Sequence, residues 1–186
     1  MSTPAAPESK PSLRPLILVL LGLVGVVVVL RLVWRDPQPP EGKRVGNVCP
    51  EVAGLDQDDK PVKLSDHKGK VVLISFWGTW CGPCRQQIPH EREMVAGKYK
   101  DRPFAFLGVA QDSPETLREF LKANPLPWPN IADDHAILAK SWKVDGIPSA
   151  VLVDHAGVIR NVWLDGVNPG AMWAEVEKLV AEAERK

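Results

Sequence analysis

An apolar run, Val71-Val72-Leu73-Ile74-Ser75-Phe76-Trp77, leads within three residues into Trp80-Cys81-Gly82-Pro83-Cys84, and a helix-compatible stretch follows. That order delivers two cysteines from a buried strand to the first turn of a helix. The free N–H groups there, and the positive end of the helix dipole, stabilise a thiolate and make the first cysteine a nucleophile near neutral pH. Cys84 lies one helical turn on and on the same face, so it can close a small ring with Cys81. Pro83 fits the first turn, where its missing N–H costs nothing. Half of a zinc site is the competing reading of a CxxC, but Cys49 stands alone and His67, His90, His135 and His155 show no ligand spacing. A structural bridge closing so short a loop would remove little unfolded-chain entropy. Exchange chemistry explains the pair better, and no metal or cofactor is expected.

A second signal lies downstream, where Val144-Asp145-Gly146-Ile147-Pro148-Ser149 runs into the apolar Ala150-Val151-Leu152-Val153. With Gly69-Lys70-Val71-Val72-Leu73, Phe76-Trp77-Gly78-Thr79-Trp80, the Cys-Arg-Gln-Gln-Ile-Pro at 84–89, and Val153-Asp154 with Gly157, these motifs resemble the thioredoxin superfamily. Within it they are similar to the membrane-anchored TlpA/ResA-like thiol-disulfide oxidoreductases, over about Gly46 to Lys186. The resemblance implies that Pro148 is cis and faces Cys81 and Cys84, and that Trp80, Gly82, Pro83, Ile147 and Pro148 contact a protein substrate. It also marks two departures. Ser75 stands where thioredoxins carry a buried carboxylate that moves protons, which leaves that role without an obvious owner. Gln87 stands where many relatives have Glu, keeping the shape and losing the titratable proton. Both are candidate modulators of the pair. Cys49, before Pro50, reads as a small buried hydrophobe.

The chain of 186 residues balances 23 basic against 23 acidic side chains, so nothing in its charge suggests a nucleic-acid surface or an acidic-substrate channel. Its organisation reads as a disordered Pro/Ser/Ala-rich tail at 1–15, a transmembrane anchor at 16–34, a Pro-rich spacer at 35–45 and a thioredoxin-like domain at 46–186. Leu16 to Leu30 carries no polar side chain, and with its flanks reaches the length that spans a hydrocarbon core of roughly 30 Å. Arg31-Leu32-Val33-Trp34-Arg35 offers no small-x-small cleavage site, which favours an uncleaved anchor over a signal peptide. Lys10 and Arg14 precede the span, and Arg31, Arg35, Lys43 and Arg44 follow it. That count alone would keep the domain inside, but long domains translocate largely regardless of charge. A tethered dithiol makes most sense beyond the reach of cytosolic thiol systems, so an extracytoplasmic, periplasmic placement is expected.

Along the domain, Val52–Leu55 and Val62–Leu64 are expected to form a hairpin, Val71–Trp77 a central strand, and Cys84–Lys98 a helix with a possible kink at Pro89. Phe104–Ala110 reads as a buried strand. Ser113-Pro114-Glu115 opens a helix ending near Asn124, and Ile137–Trp142 is a short helix. Ser149–Asp154 and Val158–Leu164 pair through His155-Ala156-Gly157, and Pro169 opens a final helix. Together these give an α/β three-layer sandwich of the thioredoxin type, a mixed sheet with helices on both faces, preceded by one transmembrane helix.

The expected activity is exchange of disulfides with protein partners, with Cys81 attacking and Cys84 resolving. By resemblance the direction is reductive, a membrane electron donor resets the pair, and the partners are apocytochrome c or copper-site assembly proteins. A thiol peroxidase, a Cu(I) metallochaperone and a redox-inert binding module remain open alternatives.

Overall fold

The structure, a computed structural model, describes residues 24–25 and 43–185. The expected tail therefore lies outside the described residues, as do all but 24–25 of the expected anchor and all but 43–45 of the spacer. Among the described residues no helix is long and apolar enough to cross a membrane.

The domain opens with a short antiparallel hairpin, β1 (Ala53–Leu55) and β2 (Pro61–Lys63). Asp56 shapes its turn by accepting from the N–H groups of Asp58 and Lys60 at 2.8 and 2.9 Å. After a 3-10 turn come β3 (Val71–Trp77) and α1 (Gly82–Glu93), which continues into a wide π turn, Met94–Lys98. β4 (Phe104–Ala110), α2 (Pro114–Ala123), β5 (Asn130–Ala132) and α3 (Ile137–Ser141) follow, then β6 (Ser149–Val153), β7 (Ile159–Trp163) and α4 (Pro169–Ala183).

Five strands form one mixed sheet in the order β5-β4-β3-β6-β7, with β3–β4 and β4–β5 parallel and β3–β6 and β6–β7 antiparallel. β3 lies at the centre and is covered on both faces, which is why it reads as a continuous apolar run rather than an alternating one. Val72, Ile74 and Phe76 point into a cluster with Trp142 and Val144 beside α3. Val71 and Leu73 point the other way, against Met172, Trp173 and Val176 of α4. The observed architecture is the expected α/β sandwich.

Two local features differ from the sequence reading. The helix expected over 84–98 begins earlier, at Gly82, and widens at Met94, where the N–H of Tyr99 reaches the Met94 carbonyl at 2.9 Å. The wider turn brings Tyr99 into the core, stacked on Trp173 and donating to Glu177 at 2.9 Å. Strand β5 was not expected, because three residues among Pro125, Pro127 and Pro129 carry little strand signal. Its Asn130 is fully buried and accepts from the Trp77 indole N–H at 3.2 Å, so a tertiary contact makes this short edge strand where local pattern does not.

The loop that enters β6 is held by side chains. The Ser149 hydroxyl donates to the Gly146 carbonyl at 2.7 Å and accepts from the Asp165 N–H at 2.8 Å, while the Asp165 carboxylate accepts from the Gly146 N–H. Ser149 has no exposed surface. Replacing it by alanine leaves a buried N–H and a carbonyl unpaired, so Ser149→Ala should lower stability by about 1–3 kcal/mol in urea unfolding. An unchanged midpoint would show that this network does not hold the loop.

Candidate active site

The sequence after β3 makes a tight turn with specific ties. At Gly78 a side chain would run into the Trp80 indole, 2.9 Å from where its Cβ would sit, and into Ile147. Asp112, just beyond β4, accepts from the Thr79 N–H and hydroxyl at 2.8 and 2.7 Å. The Trp80 indole N–H donates to the Gln111 carbonyl at 3.2 Å and leaves the ring 64% exposed.

The chain then enters α1 with Cys81 as its N-cap. The Cys81 Sγ accepts from the Cys84 N–H at 3.2 Å, and Pro83 occupies the first turn. Sulfur thus takes the place that a serine or aspartate oxygen usually takes at this position, and negative charge on it faces free N–H groups and the positive end of the helix. Cys81 and Cys84 are joined in a disulfide and are each 4% exposed.

From across the sheet the entrance to β6 closes on the pair. The Ile147–Pro148 bond is cis, as the resemblance implied, and the Ile147 carbonyl oxygen lies 3.8 Å from the Cys81 Sγ. The structure therefore brings Trp80, Gly82, Pro83 and Ile147 around Cys81. Trp80, Gly82 and Pro83 are exposed and Ile147 half-buried, forming an apolar rim. A rim of this kind suits an extended chain laid across it.

Beneath Cys84 the wall differs. Ser75, Gln87, Glu91 and Pro148 line, with Cys84, an internal cavity of about 10 Å³, the room that one water needs. The two departures noted in the sequence, Ser75 and Gln87, thus stand beside the second cysteine. Glu91 was not singled out from the sequence. It lies on the face of α1 that buries Cys84 and Ile88, is 8% exposed, and burial pushes its carboxyl up to about 7. Spacing could have found it: 84, 88 and 91 repeat at i, i+4 and i+7, which puts a carboxylate on the inward stripe of the helix.

Cys49 belongs to the core cluster on the other face of the sheet, with Val72 and Val153. Burial pushes its thiol up to about 12, against a small opposing pull from Lys43, so it does not join the pair.

A family model described as the AhpC/TSA family matches residues 45–162. The thiol-disulfide oxidoreductase ResA of Bacillus thuringiensis subsp. konkukian is 28% identical over 145 residues, covering 77% of this chain and 81% of the relative. Among solved structures, the thioredoxin domain of a thiol-disulfide oxidoreductase from Bacteroides vulgatus is 31% identical, covers 73% of this chain and 97% of that one, and superposes with a TM-score of 0.63. A thiol:disulfide interchange protein from a Bacteroides species is 28% identical, covers 75% and 92%, and gives a TM-score of 0.64.

Two outcomes are expected from the site. Native protein treated with iodoacetamide after reduction should be alkylated at the redox pair while Cys49 stays unmodified until denaturant is added; modification of Cys49 at a matching rate would place it at the surface. The second concerns stability and pH. Below the ordinary carboxyl value of 4.5 Glu91 holds its proton in both the folded and the unfolded chain. As pH rises from there the unfolded chain releases the proton and the folded one keeps it, so stability falls until about 7 and is level above it. The fall amounts to about 3 kcal/mol at most. Comparing wild type with Glu91→Gln by urea unfolding across that window should show the fall in the former and not in the latter.

Proposed function

The chain belongs to the AhpC/TSA family, and from that premise we propose that it is a membrane-tethered oxidoreductase that reduces disulfides in extracytoplasmic proteins. Its chemistry is dithiol–disulfide exchange, the activity for which its relatives are named. One observation carries the assignment to particular residues: Cys81 and Cys84 are bridged at the first turn of α1, with the Cys81 sulfur receiving a backbone N–H beneath an open apolar rim.

In the reducing direction the Cys81 thiolate attacks one sulfur of a substrate disulfide, and the other sulfur leaves with the electron pair. Cys84 then attacks Cys81 within the mixed disulfide, forming the internal bridge and releasing the second substrate thiolate. Two electrons pass from the protein pair to the substrate pair. An extended substrate segment would lie against Trp80, Gly82, Pro83, Ile147 and Pro148. The Gly-Pro dipeptide between the cysteines supports the reductive direction, as it is the one that reducing thioredoxins carry.

Residues 16–34 supply the tether in this reading, supported by the uninterrupted apolar run Leu16 to Leu30. The domain then faces outward, reset by a dithiol donor in the membrane, and its substrates are the apocytochrome c or copper-site assembly proteins that the resemblance implies.

Removing the resolving thiol freezes the exchange halfway. Cys84→Ser produced in the native host should accumulate mixed disulfides through Cys81, visible as dithiothreitol-sensitive adducts that mass spectrometry can name. A variant that traps nothing where Cys81→Ser also traps nothing would overturn protein disulfide exchange. For the tether, the protein should stay with membranes after alkaline washing, and a reporter that folds only when exported should be active after Lys186. Release into the soluble fraction would sink the anchor, and activity of only a cytoplasmic reporter would sink the orientation.

A further inference from the structure

A carboxylate buried on an apolar helix face without a charged or hydrogen-bonded partner is costly, and such costs are found where a site needs them. Glu91 is such a group. It occupies the inward stripe of α1 two turns beyond Cys84, where its companion Ile88 is apolar. Burial is the one cause of its raised proton affinity, and among the described residues it has no ion pair or hydrogen bond to offset that cost. It opens onto the same cavity as Cys84, and that cavity has room for about one water.

The rest of the wall narrows what Glu91 can do. From β3 the wall carries Ser75, from α1 Gln87, from the segment before β5 Trp128, and from the entrance to β6 Pro148. None of these titrates near neutrality. Cys84 is the one other titratable group on the wall, and it is as buried as its partner. A buried thiol does not lose its proton readily to bulk water, yet Cys84 must lose it to resolve a mixed disulfide.

We infer that Glu91 accepts the Cys84 proton when the mixed disulfide is resolved and returns it when the pair is reduced again, a role resting on the exchange chemistry proposed above. The Cys84 S–H proton passes to the Glu91 carboxylate through a water in the cavity that both residues line. The Cys84 sulfur then bonds to the Cys81 sulfur, the bond from Cys81 to the substrate sulfur breaks, and that sulfur departs with the electron pair. On reduction of the bridge by an incoming dithiol, Cys84 leaves as a thiolate and takes the proton back from Glu91. The carboxyl value near 7 suits both transfers, because a group that titrates near working pH can accept and donate. Ser75 and Gln87 supply hydrogen-bonding groups along the path without holding the proton themselves.

The test separates the two sulfurs in time. Reduced full-length protein in detergent is mixed with an equivalent amount of 5,5'-dithiobis(2-nitrobenzoate). Attack by Cys81 releases one coloured thiolate, and resolution by Cys84 releases a second. In wild type the second phase should rise with pH through about 7 and then level. In Glu91→Gln and Glu91→Leu it should be slower by about 10- to 100-fold at neutral pH and should lose that inflection, while the first phase is unmoved. The leucine variant suits the buried position and guards against loss of fold; a slow second phase in a protein with at least wild-type stability excludes a merely structural role. A second phase with wild-type rate and inflection in the leucine variant would overturn the role of Glu91 and leave exchange at the pair intact. Absence of any second phase in wild type would instead overturn the exchange reading itself.

Discussion

The N–H of Cys84 pointing at the Cys81 sulfur, at 3.2 Å, is the contact around which this domain is arranged. It exists because β3 ends at the first turn of a helix, and because Pro83 presets the backbone there without wasting a donor. The surrounding ties serve to hold that turn still: Asp112 grips Thr79, Gln111 receives the Trp80 indole, and Asn130 receives the Trp77 indole from the edge of the sheet. A sulfur capping a helix in this way is stabilised as a thiolate by the same fields that stabilise a carboxylate at a helix start.

The two cysteines sit in different surroundings, and the difference divides their work. Around Cys81 are exposed Trp80, Gly82 and Pro83 with the Ile147 carbonyl, a surface open to another chain. Around Cys84 are Ser75, Gln87 and Glu91, in a small cavity that Pro148 also lines. Placing a buried carboxylate there weakens the fold above the ordinary carboxyl range. The same feature offers a proton acceptor where the helix buries its second thiol. Stability given up at a reactive site is a familiar trade.

Much of this was legible in the residues. The runs Val71–Trp77, Phe104–Ala110 and Ser149–Val153 are apolar because both faces of the sheet are covered, and Pro114 and Pro169 each follow a capping side chain at a helix start. The cysteine pair and Pro148 lie far apart in the sequence and meet at the site, and their motifs announce a turn into a helix and a turn into a strand. What stayed hidden depends on contacts distant in sequence. β5 exists because buried Asn130 meets Trp77. The wide turn after α1 is completed by Tyr99 docking on Trp173 and Glu177 of α4. Glu91 went unremarked because a glutamate is ordinarily a solvated residue, and only its spacing from Cys84 and Ile88 reveals the face it shares. The tail, anchor and spacer rest on hydropathy and charge alone.

Equilibrating the full-length protein in redox buffers between about −350 and −120 mV, then counting free thiols by alkylation and mass, tests most directly whether this is a reversible pair poised to reduce. A single two-electron transition confined to Cys81 and Cys84, with a midpoint below about −220 mV and therefore nearer thioredoxin than a strong oxidant, is the expected result. A pair that never changes state across that range, or one with a midpoint near −120 mV, would contradict it.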